Sequence, residues 1–225
     1  VKQKVFFGAL LQYGAYIIMQ TLCLLAETTR GPSLPDRLHE WIPAQRHLNV
    51  FNSTIWLPGV LLLIVLLAVI RPAACVNYLR IGALVTVFRG VFIYLTTLGP
   101  PYAVMSSAPE AMLALKLTDI SPLLLLRQWI PLDVLYGGSH LSAAHLTQDL
   151  FFSGHTSTTF LFLLVIGRRD WLFWPILAFH LVTIGLLLLT HEHYTIDILG
   201  AYFVVYACRA FFEKQGWLVR AEDRP

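Results

Sequence analysis

Charge is what this chain has least of. Only 13% of its 225 residues are Asp, Glu, Lys or Arg, whereas 57% are hydrophobic and the mean hydropathy is +0.67. A soluble globule carries about a quarter charged residues and roughly half apolar ones, so the composition excludes one and requires an integral membrane protein. Clustered basic residues are also missing: the net charge of +3 is spread over Lys and Arg in ones and twos. That argues against nucleic acid as a partner. Cysteine is sparse, and Cys23, Cys75 and Cys208 stand far apart in or beside apolar stretches. Neither a disulfide framework nor a metal knuckle follows, and all three read as small apolar packers. The chain opens on Val1 without the n-region and cleavage site typical of a secretory signal, and the first apolar run is too long for an h-region, so that run is expected to be an uncleaved span.

Apolar runs long enough to matter are abundant. A helix needs about 20 apolar residues to cross a bilayer, fewer where its ends are buried in protein. Six runs qualify: Val5–Ala26, Ser53–Ile70, Ile81–Leu98, Ser153–Ile166, Trp171–Thr190 and Tyr194–Phe212. A seventh stretch, Ala111–Ile130, is interrupted by Lys116, Asp119, Pro122 and Arg127 and is expected as an interfacial or loop helix. No internal repeat, low-complexity tract or charge run divides the chain, so residues 1–225 are expected to form a single integral-membrane domain. Gly99–Leu150 is its long connection, of a length more often functional than idle.

Basic residues orient the spans. Lys2, Lys4, Arg71, Arg80, Arg168, Arg169, Arg209, Lys214, Arg220 and Arg224, ten of the sixteen, fall on one side of the runs. The opposite side carries Arg30, Arg37, Arg46, Lys116 and Arg127 on longer connections, where their weight is smaller. Both termini are therefore expected to be cytoplasmic. The same reckoning puts nine of thirteen acidic residues on the far side, together with the outer starts of the fourth and sixth runs.

Those two starts carry the chemistry. Ser153-Gly154-His155-Thr156 opens the fourth run, and His191-Glu192-His193-Tyr194-Thr195-Ile196-Asp197 opens the sixth. His193 and Asp197 are four apart, so on a helix their Cβ atoms stand about 6 Å apart on one face. A carboxylate so placed fixes the imidazole tautomer and raises the basicity of the far nitrogen, which turns histidine into a nucleophile or base. Around His155, Gly154 permits close approach of backbone to an anion, and a helix start at Ser153 offers free N–H groups and a positive dipole end to phosphate. Ser-Gly-His-Thr alone is a weak signal; joined to the second motif at the corresponding end of a later helix it is strong. Lone histidines such as His145 and His180 read as interfacial residues. His191 is expected in the turn before the last span.

A metal reading competes, because His191, Glu192, His193 and Asp197 are all ligand types. The zincin pattern, however, needs a histidine where Thr195 stands. Arg89 lies inside the third run, where facing lipid costs at least about 2.5–3.5 kcal/mol. It is either a phosphate-binding fork or one half of a buried structural pair.

The residues together resemble the sphingomyelin synthases and their ceramide phosphoethanolamine synthase relatives, a branch of the type-2 phosphatidate phosphatase superfamily. Four stretches carry the resemblance in order: Pro32-Ser33-Leu34-Pro35-Asp36; Arg89 through Tyr94-Leu95-Thr96-Thr97-Leu98-Gly99-Pro100-Pro101; Asp149 through Thr156; and His191 through Asp197 into Ala201-Tyr202. The resemblance implies an all-α, six-span transmembrane helical bundle with an exoplasmic-side active site, His155, His193 and Asp197 as catalytic residues, and no metal or other cofactor. It also implies a phosphohistidine reaction in which a phospholipid donor gives phosphocholine or phosphoethanolamine to a lipid alcohol, ceramide or diacylglycerol. Ser153, Gly154, Arg89, Tyr94 and Asp149 are expected to bind substrate. Gln148-Asp149 replaces the family's Gly-Asp, Leu98-Gly99-Pro100-Pro101 replaces its Leu-Pro-Val-Pro, and Arg71-Pro72 lacks the lysine seven residues earlier that marks the phosphatase relatives. Headgroup, acceptor and oligomeric state stay open. The rival readings are a hydrolase using the same triad with water as acceptor, and a non-catalytic transporter or scaffold.

Overall fold

The computed structural model describes residues 2–29, 31–48, 55–101, 115–130 and 151–219. The expected binding residue Asp149, with its neighbour Gln148, the start of the second run at Ser53, and His145 all lie outside these residues. The regular structure of the described residues is all helical, with no strand among them. In chain order the α-helices are α1 Lys2–Glu27, α2 Arg37–Trp41, α3 Leu57–Ile70, α4 Pro72–Thr96, α5 Pro122–Trp129, α6 Gly154–Ile166, α7 Phe173–Thr190 and α8 Thr195–Lys214. Four of them, α1, α4, α7 and α8, are long and apolar enough to cross a membrane, whereas α3 and α6 are shorter apolar helices. Such a set fits an integral multi-pass membrane protein. Its sides agree: Phe7, Leu62, Val69, Leu181 and Phe203 are among many large apolar side chains left exposed. In lipid those faces are solvated, and the helical form satisfies every backbone group internally.

α1 and α4 run along one another at close range. A Cβ on Gly90 would stand 2.8 Å from the Met19 Cα, so only glycine lets the two backbones approach this far. Gln12 Nε2 donates to Thr86 Oγ1 across the same seam. A second layer packs α4 against α3, α6 and α8, with Tyr78 stacked on Phe162 at 4.0 Å and Ile81, Leu161 and Val205 filling the centre. The interrupted seventh stretch folds partly as expected: α5, capped by Ser121 and opened by Pro122, lies against α1 through Tyr13 and Tyr16 hydroxyls and the Trp129 indole.

The third apolar run begins earlier as a helix than its hydropathy suggests, at Pro72, not Ile81. Proline suits the first helical position, and the polar residues of 72–80 find partners on the C-terminal segment. Asn77 exchanges two hydrogen bonds with the Val219 backbone, and Arg80 donates to the Trp217 carbonyl. At the same end Arg71 pairs with Asp170 at 2.6 Å. The termini of α4, α6, α7 and α8 at the other end converge on the two histidine motifs.

Candidate active site

Two turns in the left-handed region deliver the chain to this end. Thr97 (φ 41°) stops α4 and leads into Gly99–Pro101; His191 (φ 57°) stops α7 and leads into α8. Non-glycine residues adopt such angles only where surrounding contacts hold them. At His191 the contacts are visible: its Nε2–H donates to the Ile42 carbonyl at 2.8 Å, and its ring stacks on His39 at 4.0 Å. Burial pushes the His191 imidazole below its ordinary value, and the neighbouring His39 adds to the shift.

The first turn of α8 sets His193 against Asp197. The Asp197 carboxylate, fully buried, accepts the Tyr194 N–H through Oδ2 at 3.1 Å, and the same oxygen stands 3.6 Å from His193 Nδ1. That gap exceeds a hydrogen bond by a few tenths of an ångström, and His193 Nδ1 has no hydrogen-bond partner, so the two groups are brought together but the bond expected from the i, i+4 spacing is not made. The geometry leaves His193 Nε2 as the nitrogen directed away from the carboxylate.

His155 arrives from the start of α6. Ser153 caps this helix, accepting the Thr156 N–H, and is itself fully buried. Its own N–H donates to the Asp197 carbonyl at 3.1 Å. One backbone bond thus joins the two motifs, and it brings the His155 and His193 rings to 5.7 Å between centroids at 67°. Trp56 covers His155 from the other side, ring centroids 4.3 Å apart.

Arg89 comes from α4 and is buried. Its Nε donates to the Phe152 carbonyl at 2.9 Å, and Nη1 approaches Met19 Sδ. A Cβ on Gly154 would stand 3.0 Å from the guanidinium carbon. The glycine expected to admit an anion therefore also admits Arg89, whose charge lies directly behind the His155 helix start. Tyr94 is not brought to this cluster by the contacts described: it stands on α4 five residues beyond Arg89 with its side chain 46% exposed.

His180 is not the rim residue its isolation in the sequence suggests. It is buried midway along α7, hydrogen-bonded through Nδ1 to Thr159 and through Nε2 to Tyr202. Thr159 in turn bonds the His155 carbonyl at 2.9 Å. A polar chain thus ties α6, α7 and α8 beneath the histidines, with every member satisfied. At the histidines themselves the opposite holds: Thr156 Oγ1, His193 Nδ1, Asp197 Oδ1 and Trp56 Nε1 are buried without a hydrogen-bond partner. Among the described residues no three His, Cys, Asp or Glu side chains converge to hold a metal ion.

Two of the stretches singled out by resemblance meet at α8 as well. Ser33 Oγ donates to the Pro100 carbonyl and Gly99 N–H to that of Pro32. The Tyr194 hydroxyl donates to the Gly99 carbonyl and accepts the Leu34 N–H. Asp36 accepts from Leu38 and from both the N–H and the hydroxyl of Thr195. In the sequence Asp36 and Tyr194 stand out only as parts of motifs, and Trp56 does not stand out at all. The signal for Asp36 was its place before Arg37-Leu38-His39-Glu40, the pattern of a helix N-cap.

Residues 148–215 match the family described as PAP2 superfamily C-terminal. Two curated relatives are phosphatidylcholine:ceramide cholinephosphotransferase 2 from Homo sapiens, 36% identical over 74 residues, and its counterpart from Macaca fascicularis, 35% identical over 74. The match covers 30% of this chain and 20% of each relative. These similarities support the resemblance drawn from the motifs.

Proposed function

From the match of residues 148–215 to the family described as PAP2 superfamily C-terminal, we propose a membrane lipid phosphotransferase of the sphingomyelin-synthase type. His193 Nε2 attacks the phosphorus of a glycerophospholipid phosphodiester, forming the N–P bond as the P–O bond to diacylglycerol breaks. His155 gives a proton to the departing alkoxide. It then takes the proton of an incoming lipid hydroxyl, ceramide or diacylglycerol, whose oxygen displaces His193 and carries away phosphocholine or phosphoethanolamine. Asp197 orients His193 and stabilises its positive charge, and the Arg89 guanidinium behind Gly154 favours the anionic phosphoryl group. Ser153 and Gly154 form the helix start that receives that group; Tyr94 and Asp149 are assigned to the lipid's remaining contacts.

The observation that carries this reading is the approach of two imidazoles to 5.7 Å with a buried carboxylate 3.6 Å behind one of them. A scaffold or transporter has no use for that arrangement at a single rim. α1, α3, α4, α6, α7 and α8 are taken as the six spans. The positive-inside count then puts both termini in the cytoplasm and the histidines on the exoplasmic side.

The test is turnover of a headgroup-labelled phospholipid by purified protein, with and without ceramide or diacylglycerol. Label in a new lipid is the expected result; label only in water identifies the hydrolase with the same triad. His155→Ala and His193→Ala should each abolish both. Turnover that persists in those variants refutes the assignment.

A further inference from the structure

We infer that Asp36, on the segment between α1 and α3, is a positioning residue that sets His193 and Asp197 by capping α8 from across the chain. The inference rests on the reading of His193 and Asp197 given above.

Asp197 lies in the first turn of α8 and His193 two residues before the helix starts; Asp197 returns to the Tyr194 N–H, but the Thr195 N–H and hydroxyl are left to a residue outside this stretch. The residue before the helix is Tyr194, whose side chain reaches instead to Gly99 and Leu34. Asp36 supplies what is missing. Its Oδ2 accepts the Thr195 N–H at 2.6 Å and its Oδ1 accepts the Thr195 hydroxyl at 3.0 Å, so both donors of one residue are held by one carboxylate. Oδ1 also takes the Leu38 N–H, which fixes the carboxylate's own orientation by capping α2.

α2 then reaches back to the nucleophile. His39 Nε2–H donates to the His193 carbonyl at 3.2 Å and stands 4.0 Å from Asp36 Oδ2. The backbone of His193–Thr195 is thus gripped at both ends by residues 36–39, while the His193 and Asp197 side chains face the other way, toward His155. A carboxylate at a helix N-terminus is favoured by the dipole and the free N–H groups there. Burial works to raise the Asp36 carboxyl, but the hydrogen bonds from Thr195 and Leu38 and the nearby His39 together hold it below the ordinary carboxylate value. The charged form is the one that grips.

Asparagine offers one acceptor oxygen where three donors converge on two, so Asp36→Asn breaks the grip with little change in size. The experiment uses the full chain in lipid nanodiscs. Labelled-lipid transfer is measured at saturating and limiting donor, and amide hydrogen exchange is followed in peptides covering 191–198. Asp36→Asn is expected to lower kcat at least about tenfold, as for other small misplacements of a reacting group, with KM within about twofold. Exchange at 194–197 should quicken by a similar factor while α1 and α4 are unchanged. Thr195→Val, which removes the hydroxyl donor alone, should fall between native and Asp36→Asn; Thr195→Ser, which keeps both donors, should match native. Should Asp36→Asn not fold, the two Thr195 variants carry the test. Unchanged kcat in both Asp36→Asn and Thr195→Val overturns the inference, as does a loss in Asp36→Asn through KM alone. If the native protein turns over no lipid, the functional reading fails separately, and exchange at 194–197 decides the capping role: quickened, it stands; unchanged, it falls.

Discussion

Tyr194→Phe removes one oxygen and leaves the volume of a buried ring intact, so its cost isolates the hydrogen bonds that fasten three segments together. The hydroxyl donates to the Gly99 carbonyl at 2.9 Å and accepts the Leu34 N–H at 3.0 Å, and the residue is 1% exposed. Each bond contributes about 0.5–1.5 kcal/mol net, and a buried partner left unsatisfied costs about 1–3 kcal/mol. The two partners differ. Gly99 is buried, so its carbonyl bears the full penalty; Leu34 is exposed, so water can reach its N–H. The sum is therefore about 2–3 kcal/mol, less than two buried orphans would cost. For a chain of this size that lowers the melting temperature by roughly 4–12 °C. Thermal unfolding of native and Tyr194→Phe protein in the same detergent, followed by the near-ultraviolet signal, reads it. A shift of under about 1 °C would mean that the hydroxyl joins nothing, and that the convergence of 32–36 and 99–101 on α8 has no energetic content.

Two further substitutions probe other joints. Gly154→Ala gains up to about 1 kcal/mol of helix propensity but sets a methyl 3.0 Å from the Arg89 guanidinium. It should therefore cut lipid turnover about tenfold or more with melting temperature nearly unchanged, and equal turnover in the two proteins would remove Arg89 from the site. At the opposite end, burial tends to raise the Asp170 carboxyl, yet hydrogen bonds from Arg71 and the Leu172 N–H hold it below its ordinary value. A depressed folded-state pKa gives stability that is complete above the unfolded value of about 3.9 and lost as pH falls through the folded one. Asp170→Asn should thus melt below native protein at neutral pH, and the difference should close on acidification; a pH-independent difference would show the pair to be electrostatically idle.

Hydropathy alone located α1, α3, α4, α6, α7 and α8, though not the short α2, because in lipid a long apolar run has no other way to satisfy its backbone. It misjudged the start of α4, since Asn77 and Arg80 read as loop residues until the segment at Trp217–Val219 is seen accepting them. Such pairings span well over a hundred residues and leave no periodic trace. The histidine–carboxylate pair was legible for the opposite reason, since its spacing of four is local; yet α8 starts only at Thr195, so His193 meets Asp197 from the turn before the helix and not from a shared helical face. Arg89 was legible only as a problem, a charge inside a span. Its answer, a carbonyl at Phe152 and a missing Cβ at Gly154, lies on another helix. His180 misled because a lone histidine in an apolar run gives no sign of a hydroxyl one helix away on each side.

The contrast between those two buried polar clusters bears on where a substrate would be received. Thr159, His180 and Tyr202 satisfy one another and tie three helices, as a permanent interior network should. Around His155 and His193, by contrast, Thr156 Oγ1, His193 Nδ1, Asp197 Oδ1 and the Trp56 indole nitrogen have no partner. Each such group costs about 1–3 kcal/mol, and a fold able to satisfy the deeper cluster completely had the means to satisfy these. Buried donors and acceptors left unpaired at the two imidazoles suit a ligand that is itself both acceptor and donor. A phosphodiester supplies the acceptor oxygens and an acceptor lipid's hydroxyl the donor. On the proposed reaction, binding both lipids relieves these groups together, so binding energy is gained where bonds change and not along the acyl chains.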